Sequence, residues 1–223
     1  SREWASLYQQ KPTVDEGTFF KREWFERYRL GEQPKTNNYQ SGDYAVTDDG
    51  GDFTEFGVFG MCGDGHLWVR DWWYGQTSAD VWIDAQLDQY EKFDCYASFG
   101  ETGVIRRAVE PLLEMISNQK RVYLRQEWIT RGGNKAAMAR SFQGMAASGM
   151  IHIPRCEWGD RLIDQLCKFP AGAHDDAVDP CALIAMAIND AHPAILAEVE
   201  ETKAPRDAYG WDDEDDGDTW RTA

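Results

Sequence analysis

The order of its secondary-structure signals constrains the fold of this 223-residue chain more than any other feature. Three β-strand patterns come first, at DYAVT, FTEFGVFGMC and HLWVRDWWYG, with the turns DDGGD and GDG between them. From residue 78 onward helical and strand patterns alternate, so the order is β-β-β-α-β-α-β-α-β-α-α. A three-strand meander followed by alternating helices and strands predicts an α/β fold, with a mixed sheet flanked by helices.

Composition divides the chain into three parts. Residues 1–40 lack a clean periodic pattern and run into the turn-rich stretch GEQPKTNNYQSG, so we expect a lead-in or linker there. Residues 41–190 carry the strand and helix patterns and form the expected domain. Residues 191–223 are strongly acidic, since the last 34 residues hold eleven acids and three bases, which is typical of a flexible tail.

Charge and cysteine usage exclude some classes of protein. The net charge of −16 argues against tight unaided binding to nucleic acid, although it leaves room for a local basic groove or a metal-mediated approach to phosphate. The five cysteines are scattered and form no C-x-x-C pair, so we expect reduced thiols in an intracellular protein. Because no run of about 18 apolar residues occurs, the sequence predicts no membrane span.

The stretch FPAGAHDDAVDP crowds three carboxylates against an apolar run. Asp175, Asp176 and Asp179 lie within five residues and directly precede the segment Cys181–Ile188. Half-buried carboxylates repel one another and raise one another's pKa unless a cation lies among them. The crowding therefore raises the question of which cation neutralises these carboxylates in the folded protein.

Two more acids occur at positions where a sheet could bring them to the same rim. Asp43 opens the first predicted strand, and Glu101 ends the fourth. In a mixed sheet, strand ends and the start of a helix can converge. A cluster of carboxylates suits Mg²⁺ or Mn²⁺, and two such ions about 3.5–4 Å apart can promote phosphodiester hydrolysis.

Four blocks of sequence resemble the nuclease domain of tailed-bacteriophage terminase large subunits. They are DYAVTDDGGDFTEFGVFG, FGETG, KAAMARSFQGMAASGMIHIP and LCKFPAGAHDDAVD. The resemblance covers about residues 4–190, and the lead-in resembles the segment that joins the family's ATPase and nuclease domains. It implies an RNase H-like fold and a metal-dependent DNA endonuclease with little sequence specificity, which cuts concatemeric viral DNA during genome packaging with two Mg²⁺ or Mn²⁺ ions.

The resemblance also implies roles for individual acids. Asp43 matches the family's first-strand acid, which bridges the metals, and Glu101 matches the second acid. We expect Glu101 to hold one ion and orient water. Asp176, or its neighbour Asp175, matches the third acid. The predicted catalytic residues are thus Asp43, Glu101 and Asp176, and the predicted metal ligands include Asp175 as well.

Three further residues are candidates for the same site. Asp52 lies where the family often has an additional acid, and His174 could position a phosphate or accept a proton. Asp179 precedes Pro180, and proline is favourable at the first position of a helix. We therefore favour Asp179 as the N-cap of a helix that starts at Pro180, with a metal-ligand role as the alternative.

Five basic residues are candidate DNA contacts, because phosphate binding needs Lys or Arg on adaptable segments. The alternative is that they form solvated helix surfaces. The five residues are Arg131, Lys135, Arg140, Arg106 and Arg107.

The resemblance implies double-stranded DNA, the small terminase subunit and the portal protein as partners, in the cytoplasm of an infected bacterial host. The Walker A pattern is absent, and the chain begins at Ser1, so we expect the ATPase domain to lie outside this sequence.

Three other functional classes stay open: a junction-resolving nuclease of the same fold, a non-catalytic acidic module that docks on a portal or other partner, and a calcium-stabilised domain.

Overall fold

A computed structural model describes residues 19–45, 53–130, 133–172 and 175–187 of the chain. Its strands are β1 (Glu26–Tyr28), β2 (Asn37–Asp43), β3 (Thr54–Met61), β4 (Leu67–Gly75), β5 (Ser98–Glu101), β6 (Gln126–Ile129) and β7 (Ile151–Pro154). Its helices are α1 (Ala79–Lys92), α2 (Val104–Lys120), α3 (Lys135–Met138), α4 (Arg140–Ala147), α5 (Glu157–Lys168) and α6 (Val178–Ala187), with a short 3₁₀ helix at Arg22–Trp24.

The strands form one seven-stranded sheet in the order β1-β7-β4-β3-β2-β5-β6. Strands β2, β3 and β4 are consecutive and antiparallel. The pairs β2–β5, β5–β6, β4–β7 and β1–β7 are parallel. The predicted mixed sheet, with a three-strand meander followed by alternating helices and strands, is confirmed.

The sheet has a separate hydrophobic core on each face. Helices α3 to α6 contribute side chains to one core, around Phe59, Phe142 and Ile163. Helices α1 and α2 contribute to the other, around Phe56 and Trp82. Among the described residues, no helix combines the length and the apolar character needed to cross a membrane.

The position of the first central strand differs from the prediction. The pattern DYAVT predicts a strand that begins at Asp43, whereas β2 spans Asn37–Asp43 and ends at that residue. This part of the prediction is wrong. The sheet also takes β1 from the segment predicted to be a lead-in, and Phe20 and Phe25 from that segment are buried in the first core.

Polar residues of β2 satisfy their hydrogen bonds through tertiary contacts, which explains why a turn-like sequence is a buried strand. Gln40 is fully buried, donates to Gln89 Oε1 at 2.8 Å and accepts from Ser98 Oγ at 3.0 Å. Ser41 Oγ donates to the Pro180 carbonyl at 2.7 Å, which ties β2 to α6. Buried polar groups are tolerated when they are paired in this way.

A pair of histidines joins β7 to the turn before β4. His66 Nδ1 and His152 Nε2 are 2.7 Å apart, and the His152 ring stacks on Trp68 with 4.0 Å between centroids. Burial, and then the charge of His66, lower the pKa of His152, while Glu26 and Asp64 raise it in part. The neutral form of His152 is therefore favoured in the folded state.

We expect the pair to make the fold less stable in mild acid. Because the folded-state pKa of His152 lies below its unfolded value of about 6.5, the unfolded chain binds more protons as the pH falls through that value. The measurement is urea unfolding at pH 7.5 and pH 5.5 for the unaltered protein and for His152→Phe, which keeps a ring against Trp68. The unaltered protein should lose more stability than the variant, and equal losses would contradict the assignment.

Candidate functional site

Three acids lie side by side at adjacent strand ends. Asp43 is the last residue of β2 and lies opposite Glu55 of β3. In the parallel pair β2–β5, Gly42 lies opposite Gly100, so Asp43 and Glu101 are the next residues of neighbouring strands. Neighbouring strands are about 4.8 Å apart, and paired residues share a face of the sheet. Asp43 therefore has an acidic residue on the strand to each side.

Helix α6 packs on β2, β3 and β5 and brings two further acids to the same rim. Asp176 and Asp179 are each 5 % exposed. The backbone N–H of Phe53, just before β3, donates to Asp176 Oδ2 at 3.3 Å. This packing places Asp176 and Asp179 close enough to Asp43 for their charges to act on its carboxyl group. We call Asp43, Asp175, Asp176 and Asp179 the acid cluster.

The start of α6 corrects one prediction. The helix begins at Val178, so Asp179 is its second residue and Pro180 its third. The prediction that Asp179 caps a helix starting at Pro180 is wrong. Pro180 is tolerated because the N–H groups of the first turn have no intrahelical acceptor, and the missing N–H loses no helical bond. The Asp179 side chain instead faces the other acids.

Lys135 places an internal cation against the acid cluster. Its Nζ lies 2.8 Å from Asp175 Oδ1 and 2.8 Å from Asp179 Oδ2. Lys135 is the first residue of α3, and the preceding Asn134 caps that helix by accepting the Ala137 N–H at 2.8 Å. The sequence predicts Lys135 as a DNA contact, whereas the structure pairs its ammonium group with two carboxylates.

The electrostatics of the cluster explain why a cation is present. Burial, followed by the charge of Asp179, raises the pKa of Asp43 well above its ordinary value, and Asp176 adds to the rise. Lys135 opposes this shift. Burial on its own would lower the pKa of Lys135, but Asp179 and Asp175 raise it overall. Additional positive charge would therefore favour the ionised form of Asp43.

The donor chemistry of the cluster fits a hard divalent ion. Within the four described ranges, no group of three or more His, Cys, Asp or Glu side chains is arranged to hold a metal ion; the ammonium of Lys135 bridges two of the acids instead. The side-chain donors of the cluster are all carboxylate oxygens, which suit Mg²⁺ or Mn²⁺ better than zinc. The raised pKa of Asp43 is the kind of shift that a bound cation would reverse.

Two of the predicted DNA contacts lie in the helix that follows Glu101 in the chain. Arg106 and Arg107 are exposed residues near the start of α2. Arg106 Nε donates to Glu110 Oε1 at 2.7 Å, and its guanidinium lies 5.7 Å from the centre of the Trp128 ring. An open cavity of about 640 Å³ is lined by Thr102, Gly103, Arg106, Arg107 and Glu110.

The structure describes only one of the four remaining predicted site residues. Arg140 is the exposed first residue of α4. Asp52, His174 and Arg131 lie outside the described residues.

An ion pair that the sequence did not predict lies next to the acid cluster. Glu55 is fully buried, and its Oε1 lies 2.7 Å from Arg161 Nη2 of α5. Trp72 Nε1 donates to Glu55 Oε2 at 2.6 Å. One signal was available, because Glu55 is the one charged residue in the predicted strand FTEFGVFGMC. Its partner could not be found from sequence, since Arg161 is 106 residues away.

No protein-family model matches the chain, and no curated protein matches it. Several solved structures, however, are similar to the chain. The large terminase nuclease from thermophilic phage G20c, with bound magnesium, superposes with a TM-score of 0.58 and 10% identity, over 78% of this chain and 98% of that one. The nuclease domain of the large terminase subunit gp2 of bacterial virus Sf6 gives 0.52 and 10% identity, over 74% and 92% of the two chains.

A third similar structure is the large terminase nuclease domain of Thermus phage P74-26, with a TM-score of 0.52 and 10% identity, over 72% of this chain and 90% of that one. At this level of identity the likeness concerns the backbone and leaves the site residues to be argued from their own chemistry. The chain therefore has the RNase H-like fold of the nuclease domains of phage large terminase subunits.

Proposed function

We propose that this chain is a divalent-metal-dependent endodeoxyribonuclease that cuts concatemeric viral DNA during genome packaging. The observation that supports this most is the convergence of Asp43, Glu101 and Asp176 at one rim of an RNase H-like sheet. The large terminase nuclease from thermophilic phage G20c was solved with bound magnesium, cobalt and zinc in separate structures.

The chain's own carboxylates would hold two Mg²⁺ or Mn²⁺ ions. Asp43, Glu101 and Asp176 would be the residues that hold the ions, and Asp175 and Asp179 lie close to them in sequence or space. Asp175 and Asp179 supply further negative charge. When bound, the ions activate a water nucleophile and stabilise the charge that develops on the leaving oxygen. The Phe53 N–H holds Asp176 in place for that role.

The exposed basic residues near the start of α2 give the substrate a place to bind. Arg106 and Arg107 line the open cavity, and in this proposal they contact a DNA phosphate there. Contacts of this kind read the backbone and not the bases, so we expect little sequence specificity. In this proposal the partners are double-stranded DNA, the terminase ATPase domain, the small terminase subunit and the portal protein, in the cytoplasm of the infected host.

Cleavage of supercoiled plasmid tests the proposal. The protein is incubated with plasmid in Mg²⁺, Mn²⁺, Ca²⁺ or EDTA. We expect nicked and linear products with Mg²⁺ or Mn²⁺ and none with EDTA. Absence of cleavage in every metal would overturn the enzyme assignment. A parallel comparison of a four-way junction with a linear duplex of the same sequence identifies a junction-resolving nuclease, which would cleave the junction preferentially.

Replacing Lys135 should reveal its role as an internal cation. In Lys135→Met, Asp175 and Asp179 lose an ammonium group that lies 2.8 Å from each of them. We expect the free energy of unfolding in EDTA to fall by about 2 kcal/mol, which is typical for hydrogen bonds to charged groups. Because Mg²⁺ can replace the lost charge, 10 mM Mg²⁺ should restore more stability to the variant than to the unaltered protein.

The matched control is Lys120→Met on the opposite face, where Lys120 pairs with Asp84 and Asp88 of α1. Its effect should be the same in EDTA and Mg²⁺. If Lys135→Met behaved like this control, the ammonium of Lys135 would not occupy the place of a metal ion.

A further inference from the structure

Glu55 lies opposite Asp43 of the acid cluster on the neighbouring strand. The ion pair that Glu55 forms with Arg161 has no role in the function proposed above. Arg161 Nη2 and Nη1 lie 2.7 and 3.3 Å from the two carboxylate oxygens of Glu55. The Arg161 guanidinium also stacks on Tyr74, 3.6 Å from the ring centre, and lies 5.9 Å from the ring of Phe53. Helix α5 is thereby attached to the start of β3 and the end of β4.

Stability does not explain why a charged pair is kept here. Burying the charge of Glu55 carries a desolvation penalty, which Arg161, whose side chain is 22 % exposed, offsets only in part; replacing a buried pair by uncharged residues of similar size is often neutral or stabilising. Glu55 is fully buried, and the residue that pairs with it on strand β2 is another acid, Asp43. Like charges placed opposite each other in a sheet are unfavourable, so the arrangement needs Arg161 to neutralise Glu55.

Three consecutive residues, the one just before β3 and the first two of that strand, each lie against a segment that carries an acid of the cluster. The Phe53 N–H donates to Asp176 Oδ2 at 3.3 Å. Thr54 Oγ1 accepts the N–H of Ala45, two residues after Asp43, at 2.9 Å. Glu55 lies opposite Asp43 itself. Any shift of this short segment would move Asp43 and Asp176 relative to each other.

We infer that Glu55 and Arg161 are positioning residues that hold Asp43 and Asp176 at the separation needed for metal binding. Arg161 anchors the segment 53–55 through Glu55 and Tyr74, and it removes the repulsion that Glu55 would otherwise exert on Asp43. Supporting groups of this kind typically change metal affinity or activity by 10- to 100-fold when they are replaced. The inference rests on the proposed metal-dependent function.

The test removes both charges together, so that neither is left buried without its partner. In Glu55→Gln/Arg161→Met, the glutamine still accepts the Trp72 Nε1 hydrogen bond. The control is Arg27→Met/Asp160→Asn, which removes a 2.7 Å ion pair from the preceding residue of the same helix, α5. Two quantities are measured: Mn²⁺ binding to the metal-free protein by calorimetry, and the Mn²⁺ concentration that gives half-maximal plasmid nicking.

We expect the double variant to need at least about tenfold more Mn²⁺ in both measurements, while the control matches the unaltered protein. A purely structural role would lower the unfolding midpoint and leave both Mn²⁺ values unchanged, which would overturn the inference while the proposed nuclease function stands. If the unaltered protein bound Mn²⁺ but cleaved nothing, the nuclease proposal would fail and the calorimetry would still decide the inference. No Mn²⁺ binding by the unaltered protein would overturn both.

Discussion

Asp43→Asn should abolish plasmid cleavage, with a loss of about 10³-fold or more. Asp43 is the acid with an acidic residue on the neighbouring strand at each side, and it is within electrostatic reach of Asp176 and Asp179. An amide at this position removes the charge that would hold the ions. Metal-ion catalysis contributes several kcal/mol of transition-state stabilisation, and about 4 kcal/mol corresponds to a 10³-fold change in rate.

The same substitution should leave the fold intact in metal-free buffer. Burial and the charge of Asp179 raise the pKa of Asp43, so ionising this side chain is unfavourable in the folded protein without a cation. Asparagine has nearly the same shape and no charge, and we expect urea unfolding in EDTA at pH 8 to show equal or higher stability. Loss of cleavage together with retained stability would therefore identify a functional residue.

The control for Asp43→Asn is Asp84→Asn, which changes an exposed acid of α1 that pairs with Lys120 on the other face of the sheet. It should cleave plasmid at the unaltered rate. Cleavage by Asp43→Asn within about tenfold of that rate would show that the strand-end acids do not form the reaction centre.

Arg161→Met on its own should destabilise the fold more than either Lys135→Met or Asp43→Asn. It leaves the fully buried Glu55 carboxylate without its cationic partner. Breaking a buried ion pair by removing one partner typically destabilises a protein by about 3–5 kcal/mol. Urea unfolding at pH 8 in EDTA measures this change in the free energy of unfolding.

The double variant Glu55→Gln/Arg161→Met separates the two contributions to that loss. It should recover most of the stability, because the uncompensated charge is gone and Trp72 keeps its acceptor. If the single and double variants were equally unstable, the packing of Arg161 on Tyr74 would account for the effect, and not the pairing of charges.

Local patterns in the sequence were sufficient for most of the architecture. The runs that became β3 and β4 alternate or are continuously apolar, and their turns carry glycine, so the meander could be predicted without knowing its neighbours. The helical stripe of α1 and the short strand that ends at Glu101 were equally local. These signals are readable because each depends on residues a few positions apart.

Strand β2 could not be predicted in the same way. Its polar sequence NNYQSGD resembles a loop, and it becomes a central strand because distant partners satisfy Gln40 and Ser41. The helix start at Val178 is a similar case, since Pro180 is compatible with several positions in a first turn.

For the site, the sequence by itself determined which acids were available: the crowded group around Asp176, and Asp43 and Glu101 at positions near strand ends. Only the tertiary structure decided how they meet, because strand register sets Asp43 beside Glu101 and Glu55, and helix packing brings Asp179 to face Asp43. The pairing of Glu55 with Arg161, 106 residues away, was likewise decided by the fold. Charges and hydrogen bonds act through space, so their partners follow from register and packing and not from distance along the chain.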